Sequence, residues 1–145
     1  MSASPVEVTD HEDALSRLAG DDVTLRRARH VFTEIERVSA AVDALVTGDP
    51  AEFGARLTGS HASLRDDFEV SCAELDVVVE ACPAHGALGA RMTGGGFGGS
   101  AIALLPEAVV DVTVASLQQE FAGRGWTEPR ARRATPADGA RLIQD

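Results

Sequence analysis

The chain has 145 residues, 44% of them hydrophobic and 25% charged, with a formal net charge of −10 at pH 7. This length fits one domain, and no apolar run approaches the roughly 18 residues that a membrane-spanning helix needs. Residues 1–80 hold 17 acidic residues against 7 arginines, so the whole negative excess lies there. We therefore expect neither nucleic acid nor a membrane as a partner. The N-terminus has no signal-peptide pattern, which predicts a cytoplasmic protein.

The first part of the chain predicts one short strand followed by helices. Residues 5–9 fit a strand, and a brief helix begins at Asp10 and stops at Gly20. Asp21 or Asp22 caps a long helix that ends at Gly48. Its apolar residues recur with a period near 3.5 and form the stripe that a helix normally buries: Ala28, Val31, Phe32, Ile35, Val38, Val42, Leu45 and Val46.

Two further helix starts follow. Asp49 is a capping carboxylate, Pro50 occupies the first helical position, and Glu52 is the acidic residue at the third. This helix should fray near Asp66. Its predicted inner residues are Phe53, Leu57, His61 and Leu64, and Gly54 and Gly59 allow a neighbour to approach closely. Ser71 and Glu74 suggest a second capping box, and Pro83 ends that helix. Its inward residues are Leu75, Val78, Val79 and Cys82.

The second part of the chain predicts a small sheet. Two short apolar runs flank a glycine-rich loop, a helix runs from Pro106 to Gly123, and residues 126–134 form an edge strand, since Pro129 cannot donate to a sheet ladder. Helices grouped early and strands grouped late favour an α+β fold. Strand–strand–helix–strand matches half of a ferredoxin-like α/β sandwich, with a mostly antiparallel sheet and extra N-terminal helices.

The glycine-rich loop is the most distinctive stretch. Residues 91–100 read RMTGGGFGGS and contain five glycines. Gly94, Gly96 and Gly99 satisfy G-x-G-x-x-G, but a dinucleotide site needs a helix directly after the loop, and a strand is predicted there. A Walker A loop is excluded because the chain has no lysine. A glycine-rich hairpin that binds no ligand remains an alternative interpretation. If the two apolar runs are strands, residues 94–99 should form an ordered loop between them, with at least one residue at a positive φ.

The cysteines and histidines favour structural roles. Cys72 and Cys82 are ten positions apart without a zinc-binding pattern, which predicts two reduced, structural thiols. His30 and Glu34 have metal-ligand spacing, but no second ligand pair lies on the helix, so a packed or surface histidine is favoured and no metal site is predicted. His61 is expected to be packed and hydrogen-bonded between helices.

Two ion-pairing arrangements are predicted. Arg65, Asp66 and Asp67 fit a capping and ion-pair cluster at a helix end. Arg91, just before the glycines, faces either phosphate or an acid of the helical half, and we favour the acid.

Three sequence blocks carry a family resemblance. RMTGGGFGGS resembles the third motif of the GHMP small-molecule kinases in the form typical of galactokinases. SHASLRDDFEVSCAELD, residues 60–76, resembles the segment before this motif in galactokinases, and RRARHVFTEIERV, residues 26–38, resembles an upstream helix. The likeness runs from about Val6 to near Ile143, so residues 1–145 are identified as a C-terminal domain of this type. Phe68 and Ala73 depart from the tyrosine and proline expected of galactokinases.

The resemblance implies a site role for the loop. In the family it packs beside the phosphate loop and shapes the cleft between two lobes. That role is carried to Met92, Thr93, Gly94, Gly95, Gly96, Phe97, Gly98 and Gly99. The candidate accessory residues are Arg91, His61, Arg65 and Asp66. The face around Met92 and Phe97 is then expected to be an exposed apolar patch, through which the chain could self-associate.

The resemblance also implies that the catalytic groups lie elsewhere. The motifs G-E-H-T-D-Y and G-L-S-S-S do not occur, so no catalytic residue or metal ligand is expected in this chain. The intact enzyme would bind ATP, Mg²⁺ and galactose, and its N-terminal half would be the partner of this chain, in cis or in trans. We expect no bound cofactor and no kinase activity for the chain alone. A non-catalytic binding or regulatory module and a folded remnant are the alternatives.

Overall fold

The computed structural model describes residues 11–135, 137 and 139. The strand predicted over residues 5–9 lies outside them. The described part contains five α-helices and one antiparallel pair of strands: α1 His11–Ser16, α2 Asp22–Thr47, α3 Pro50–Asp66, α4 Ala73–Ala81, β1 Gly89–Thr93, β2 Ser100–Leu104 and α5 Val110–Gly123. Short 3-10 turns, Cys82–His85 and Glu107–Val109, follow α4 and precede α5. The predicted α+β class is confirmed.

The ends of α2 and α3 follow from local capping. The Asp21 carboxylate accepts the backbone N–H of Thr24 at 3.0 Å and starts α2. Gly48 ends it with φ 71°, a conformation in which glycine has no Cβ penalty. Asp49 accepts the backbone N–H groups of Ala51 and Glu52 and starts α3. Both predicted helices are confirmed, whereas α1 is shorter than predicted and ends at Ser16.

The core forms where α3, α4 and α5 meet β1. Val79, Cys82 and Ala90 are buried together, with Leu117 packed against them. The two backbones of α3 and β1 touch: a Cβ on Gly89 would lie 1.9 Å from the carbonyl oxygen of Gly54. The predicted close approach at Gly54 is confirmed, and it places β1 directly on α3.

The prediction for α4 was wrong at its cap and right along its face. The N-cap residue is Cys72, and its side chain makes no capping bond. The hydroxyl of Ser71, the predicted cap, donates to the Asp76 carboxylate at 2.5 Å. Leu75, Val79 and Cys82 are buried as predicted. Both cysteines are free, as expected, and burial raises the pKa of the Cys82 thiol.

The predicted edge strand over residues 126–134 does not form. The backbone N–H of Trp126 donates to the carbonyl of Phe121 at 2.9 Å, and the two rings pack edge to face at 5.3 Å. The chain therefore turns back on the end of α5 instead of running along β2. Within residues 11–135 the sheet has two strands, and β2 has one unpaired edge.

The apolar stripe of α2 is not buried as expected. Val31, Ile35, Val38, Val42, Leu45 and Val46 are all exposed, whereas His30 and Ala44 are the buried residues of this helix. Helix α2 packs on α3 through a different side, which carries polar residues.

Candidate functional site

The glycine loop joins β1 to β2 as a hairpin. The strand register pairs Gly89 with Leu104 and Thr93 with Ser100, so residues 94–99 form the turn. Positive φ values occur at Gly94, Gly96, Phe97, Gly98 and Gly99. The predicted strand-to-strand loop with positive φ is confirmed, and no helix begins within it. The helix that a dinucleotide fingerprint requires is therefore missing.

One side of the loop is anchored to the linker between α3 and α4. The backbone N–H of Phe97 donates to the carbonyl oxygen of Val70 at 2.7 Å. A Cβ on Gly96 would lie 2.3 Å from that oxygen, so only glycine fits at this position. The four other loop glycines would place a Cβ in open space: Gly94, Gly95, Gly98 and Gly99. The loop is thus fixed to the linker at Gly96 and Phe97, and its four other glycines form an open outer rim.

Strand β1 is fixed by a buried histidine. The backbone N–H of Met92 donates to Nδ1 of His61 at 3.1 Å, and Nε2 of His61 lies 3.1 Å from the Asp76 carboxylate. Because Nδ1 accepts, the proton of the neutral ring is on Nε2 and is donated to Asp76. Burial lowers the pKa of His61, and the hydrogen bond to Asp76 opposes that effect only in part. His61 is 1% exposed and lies between α3, α4 and β1, as its predicted structural role requires.

The expectation for the exposed patch was wrong at Met92. Its side chain is 1% exposed and belongs to the core, because alternate residues of a strand point to opposite sides and Met92 shares its side of β1 with Ala90, which packs against Val79 and Cys82. Phe97 is 78% exposed. Its ring stands on the loop at a residue with φ 58°, an uncommon value for a non-glycine residue.

Glu34 ties α2 to α3 and β1. Its carboxylate accepts the hydroxyl of Ser60 at 2.6 Å and the guanidinium of Arg37 at 2.5 Å. Arg91 lies 3.4 Å from the same carboxylate, and its Nε donates to the carbonyl of Met92 at 3.0 Å. The predicted pairing of Arg91 with an acid of the helical half is confirmed, and Arg91 is the cation nearest in sequence to the glycines.

The linker that carries Val70 is itself braced by α2. His30 Nδ1 lies 3.0 Å from the Ser63 hydroxyl, which donates to the Asp67 carboxylate at 2.9 Å. Arg27 pairs with Glu69 at 2.5 Å. His30 is buried and hydrogen-bonded, so the packed-histidine interpretation is confirmed. Sequence patterns missed this linker as part of the site; the one available signal was the position of residues 60–76 next to the motif.

The remaining candidate accessory residues form a surface ion pair. Arg65 Nε lies 2.7 Å from Asp66, and its NH1 lies 3.1 Å from Glu80 of α4. The hydrogen bond that Arg65 donates to Asp66 raises the pKa of the guanidinium. The predicted ion-pair cluster at the end of α3 is confirmed for Arg65 and Asp66, whereas Asp67 lies 3.7 Å from Arg29 of α2.

The loop fits only part of a nucleotide–metal site. Residues 92–99 carry no charged side chain, so a phosphate beside the loop would meet backbone N–H groups and the Thr93 hydroxyl. In the described part of the chain no group of three or more histidine, cysteine or acidic side chains is placed to hold a metal ion. Residues 92–99 themselves carry no carboxylate or imidazole that could ligate magnesium.

Across the described helices, none is both long enough and apolar enough to cross a membrane.

These features define a small α+β domain built around an anchored, glycine-rich hairpin loop. The family model for the C-terminal part of GHMP kinases matches residues 41–123, and the chain belongs to that family.

The chain is similar to several galactokinases. It is 51% identical over 138 residues to the galactokinase of Streptomyces coelicolor, covering 95% of this chain and 36% of the relative. It is 44% identical over 119 residues to the galactokinase of Canis lupus familiaris, covering 81% of this chain and 29% of the relative. The chain therefore spans about a third of the length of the curated relatives it matches.

Solved structures give the same relationship. The crystal structure of Lactococcus lactis galactokinase complexed with galactose superposes with a TM-score of 0.77 at 40% identity, covering 87% of this chain and 34% of that one. L. major mevalonate kinase in complex with R-mevalonate gives a TM-score of 0.61 at 30% identity, covering 83% of this chain and 36% of that one.

Proposed function

We propose that this chain is the C-terminal domain of a galactokinase and forms one wall of its substrate cleft. In the intact enzyme the γ-phosphoryl group of ATP is transferred to the C1 hydroxyl of galactose. The single observation that carries the proposal is the glycine loop. It is anchored through Phe97 and Gly96 to Val70, yet its outer rim is open. The family membership and the galactokinase relatives support the same assignment.

In the reaction, this chain shapes one wall of the cleft and helps to position the substrates there. A glycine rim without Cβ atoms lets another backbone or a phosphate approach closely. The hydrogen bonds from Met92 to His61 and from Phe97 to Val70 hold the loop before substrate arrives, so little ordering entropy is lost on binding.

The chemical groups of phosphoryl transfer lie outside this chain. The reaction needs a cation or metal to neutralise the phosphates and a group that takes the proton from the sugar hydroxyl. Arg91, the cation nearest to the loop in sequence, is paired with Glu34. The motifs that supply these groups in galactokinases do not occur in the sequence. We therefore propose that ATP, Mg²⁺ and galactose bind to the intact enzyme and that the chain alone is inactive.

The test is a chimera. The 138 matched residues of the Streptomyces coelicolor galactokinase are replaced by this chain, and ATP- and galactose-dependent release of ADP is measured. We expect the chimera to be active and the purified 145-residue chain to show no activity above a mock purification. A folded but inactive chimera would favour a binding module or a remnant of the same fold. Activity of the chain alone would refute the proposed division of labour.

A further inference from the structure

Helix α2 buries its polar side and exposes its apolar side. The side that faces α3 is an inner stripe whose members lie three and four residues apart: Arg27, His30, Glu34, Arg37, Ala41 and Ala44. Three contacts fix it: His30 to Ser63 at 3.0 Å, Glu34 to Ser60 at 2.6 Å, and the Arg37 side chain 3.7 Å from a Cβ built on Gly59. The ion pairs and hydrogen bonds of this stripe occupy α3 along its contact with α2.

A second, outer stripe repeats with the same spacing on α2. It consists of Val31, Ile35, Val38, Val42 and Leu45, which are between 44% and 61% exposed. Residues repeating at alternating intervals of four and three form the seam by which one helix packs along another. Over the 14 steps from Val31 to Leu45 the seam is about 21 Å long, enough for a partner helix of about four turns. Among residues 11–135, helix α1 lies against the start of this side, where His11 stacks on Phe32 at 4.3 Å.

The charge beside the outer stripe decides between partners. Glu36 and Asp43 directly follow the stripe residues Ile35 and Val42 and are exposed, and the Glu36 carboxylate lies 3.7 Å from the ring of His11. The chain carries a net charge of −10, all of it from residues 1–80, so a second copy would bring two acidic surfaces together. A helix with basic residues on its flanks would instead be complementary.

We propose that the outer stripe is the docking face for an amphipathic helix with basic flanks, supplied by the part of the intact kinase outside this chain. This inference rests on the proposed function, since it takes its partner from the same polypeptide. The relatives are about three times as long as this chain. A partner in the same polypeptide acts at an effective concentration in the millimolar range, so a seam of five aliphatic side chains suffices.

The test compares cysteine labelling in the isolated chain and in the chimera. Val38→Cys is reacted with a maleimide, and labelling is read at each cysteine by mass spectrometry, which separates it from Cys72 and Cys82. Val112→Cys is the matched control, because Val112 is 55% exposed on α5 and Val38 is 56% exposed on α2. Val42→Cys, one turn further along, repeats the measurement if Val38→Cys does not fold.

Docking predicts that labelling of Val38→Cys is slower by about tenfold or more in the chimera than in the isolated chain, while Val112→Cys changes by less than about twofold. Asp43→Arg in the chimera should then restore labelling by about threefold, because it repels basic flanks. Equal rates for Val38→Cys in both proteins, or equal protection at both sites, would overturn the proposal. So would protection in the isolated chain that grows with its concentration, since a second copy would then be the occupant.

Failure of this inference and failure of the proposed function are distinguishable. If the chimera is active and Val38→Cys is not protected, the proposed docking face is wrong and the proposed function stands. An inactive chimera with protected Val38→Cys keeps the docking face and removes the galactokinase assignment.

Discussion

The backbone N–H of Met92 and Nδ1 of His61 are 3.1 Å apart, and this hydrogen bond joins the strand before the glycine loop to the centre of α3. The other ring nitrogen reaches Asp76 of α4 at 3.1 Å. One buried side chain therefore sets the relative position of two helices and the motif strand.

Substitutions at His61 should destabilise the fold in a graded way. His61→Leu leaves the Met92 N–H without an acceptor, which costs about 2 kcal/mol of unfolding free energy. His61→Asn can place Oδ1 near the position of Nδ1 and keep that bond, so we expect a loss of about 1 kcal/mol. His85→Leu, at the partly exposed end of a 3-10 turn, is the control and should change stability by less than about 0.5 kcal/mol. Urea unfolding measures all three; a larger loss for His61→Asn than for His61→Leu would show that ring volume, not the hydrogen bond, is what matters.

Stability should fall as the solution becomes mildly acidic. Burial lowers the pKa of both His30 and His61 below that of an unfolded histidine. The unfolded chain therefore binds more protons, and the native state loses stability as the pH drops through about 6.5 toward the folded pKa values. We expect the urea midpoint to decrease between about pH 7.5 and about pH 5.5 and the decrease to be smaller in His61→Asn. An unchanged midpoint would mean that neither buried histidine resists protonation.

Two adjacent loop glycines should respond differently to alanine. Gly96→Ala places a Cβ 2.3 Å from the Val70 carbonyl oxygen at a residue with φ +86°, so the loop must leave its anchor. We expect a loss of about 1–3 kcal/mol and faster hydrogen exchange of the Phe97 amide. Gly95→Ala meets nothing within 4 Å, and Gly95 is not among the residues with positive φ. Equal exchange of the Phe97 amide in both variants would contradict the anchor.

Two glycines of α3 should shift stability in opposite directions. Gly54→Ala drives a Cβ to 2.3 Å from the backbone oxygen of Leu88, forcing β1 away from the helix, and should cost about 3 kcal/mol. Gly59→Ala meets only the Arg37 side chain at 3.7 Å, an ordinary contact, and should stabilise the helix by about 0.5–1 kcal/mol. Thermal unfolding of the two variants measures both; a destabilised Gly59→Ala would show that α2 and α3 are packed more tightly than the contact at Arg37 indicates.

Local sequence determined the ends of α2 and α3, the turn chemistry of the glycine loop and the α+β order of elements. Capping at Asp21, Gly48 and Asp49 acts over three or four residues, so it depends on no distant contact. The run from Gly94 to Gly99 permits positive φ whatever surrounds it.

Only tertiary structure decided which side of α2 is buried, where Met92 points and how the chain continues after α5. The hydrogen bonds of Ser60 and Ser63 of α3 select the polar stripe of α2 over its apolar one, a choice that the periodicity of α2 alone cannot make. Met92 lies in the core because the side of β1 that it shares with Ala90 packs on α4, and the packing of Trp126 on Phe121 replaces a strand. Each of these outcomes depends on a partner distant in sequence or on a competition between two contacts. The residue pattern of a single segment contains no information on such partners or competitions.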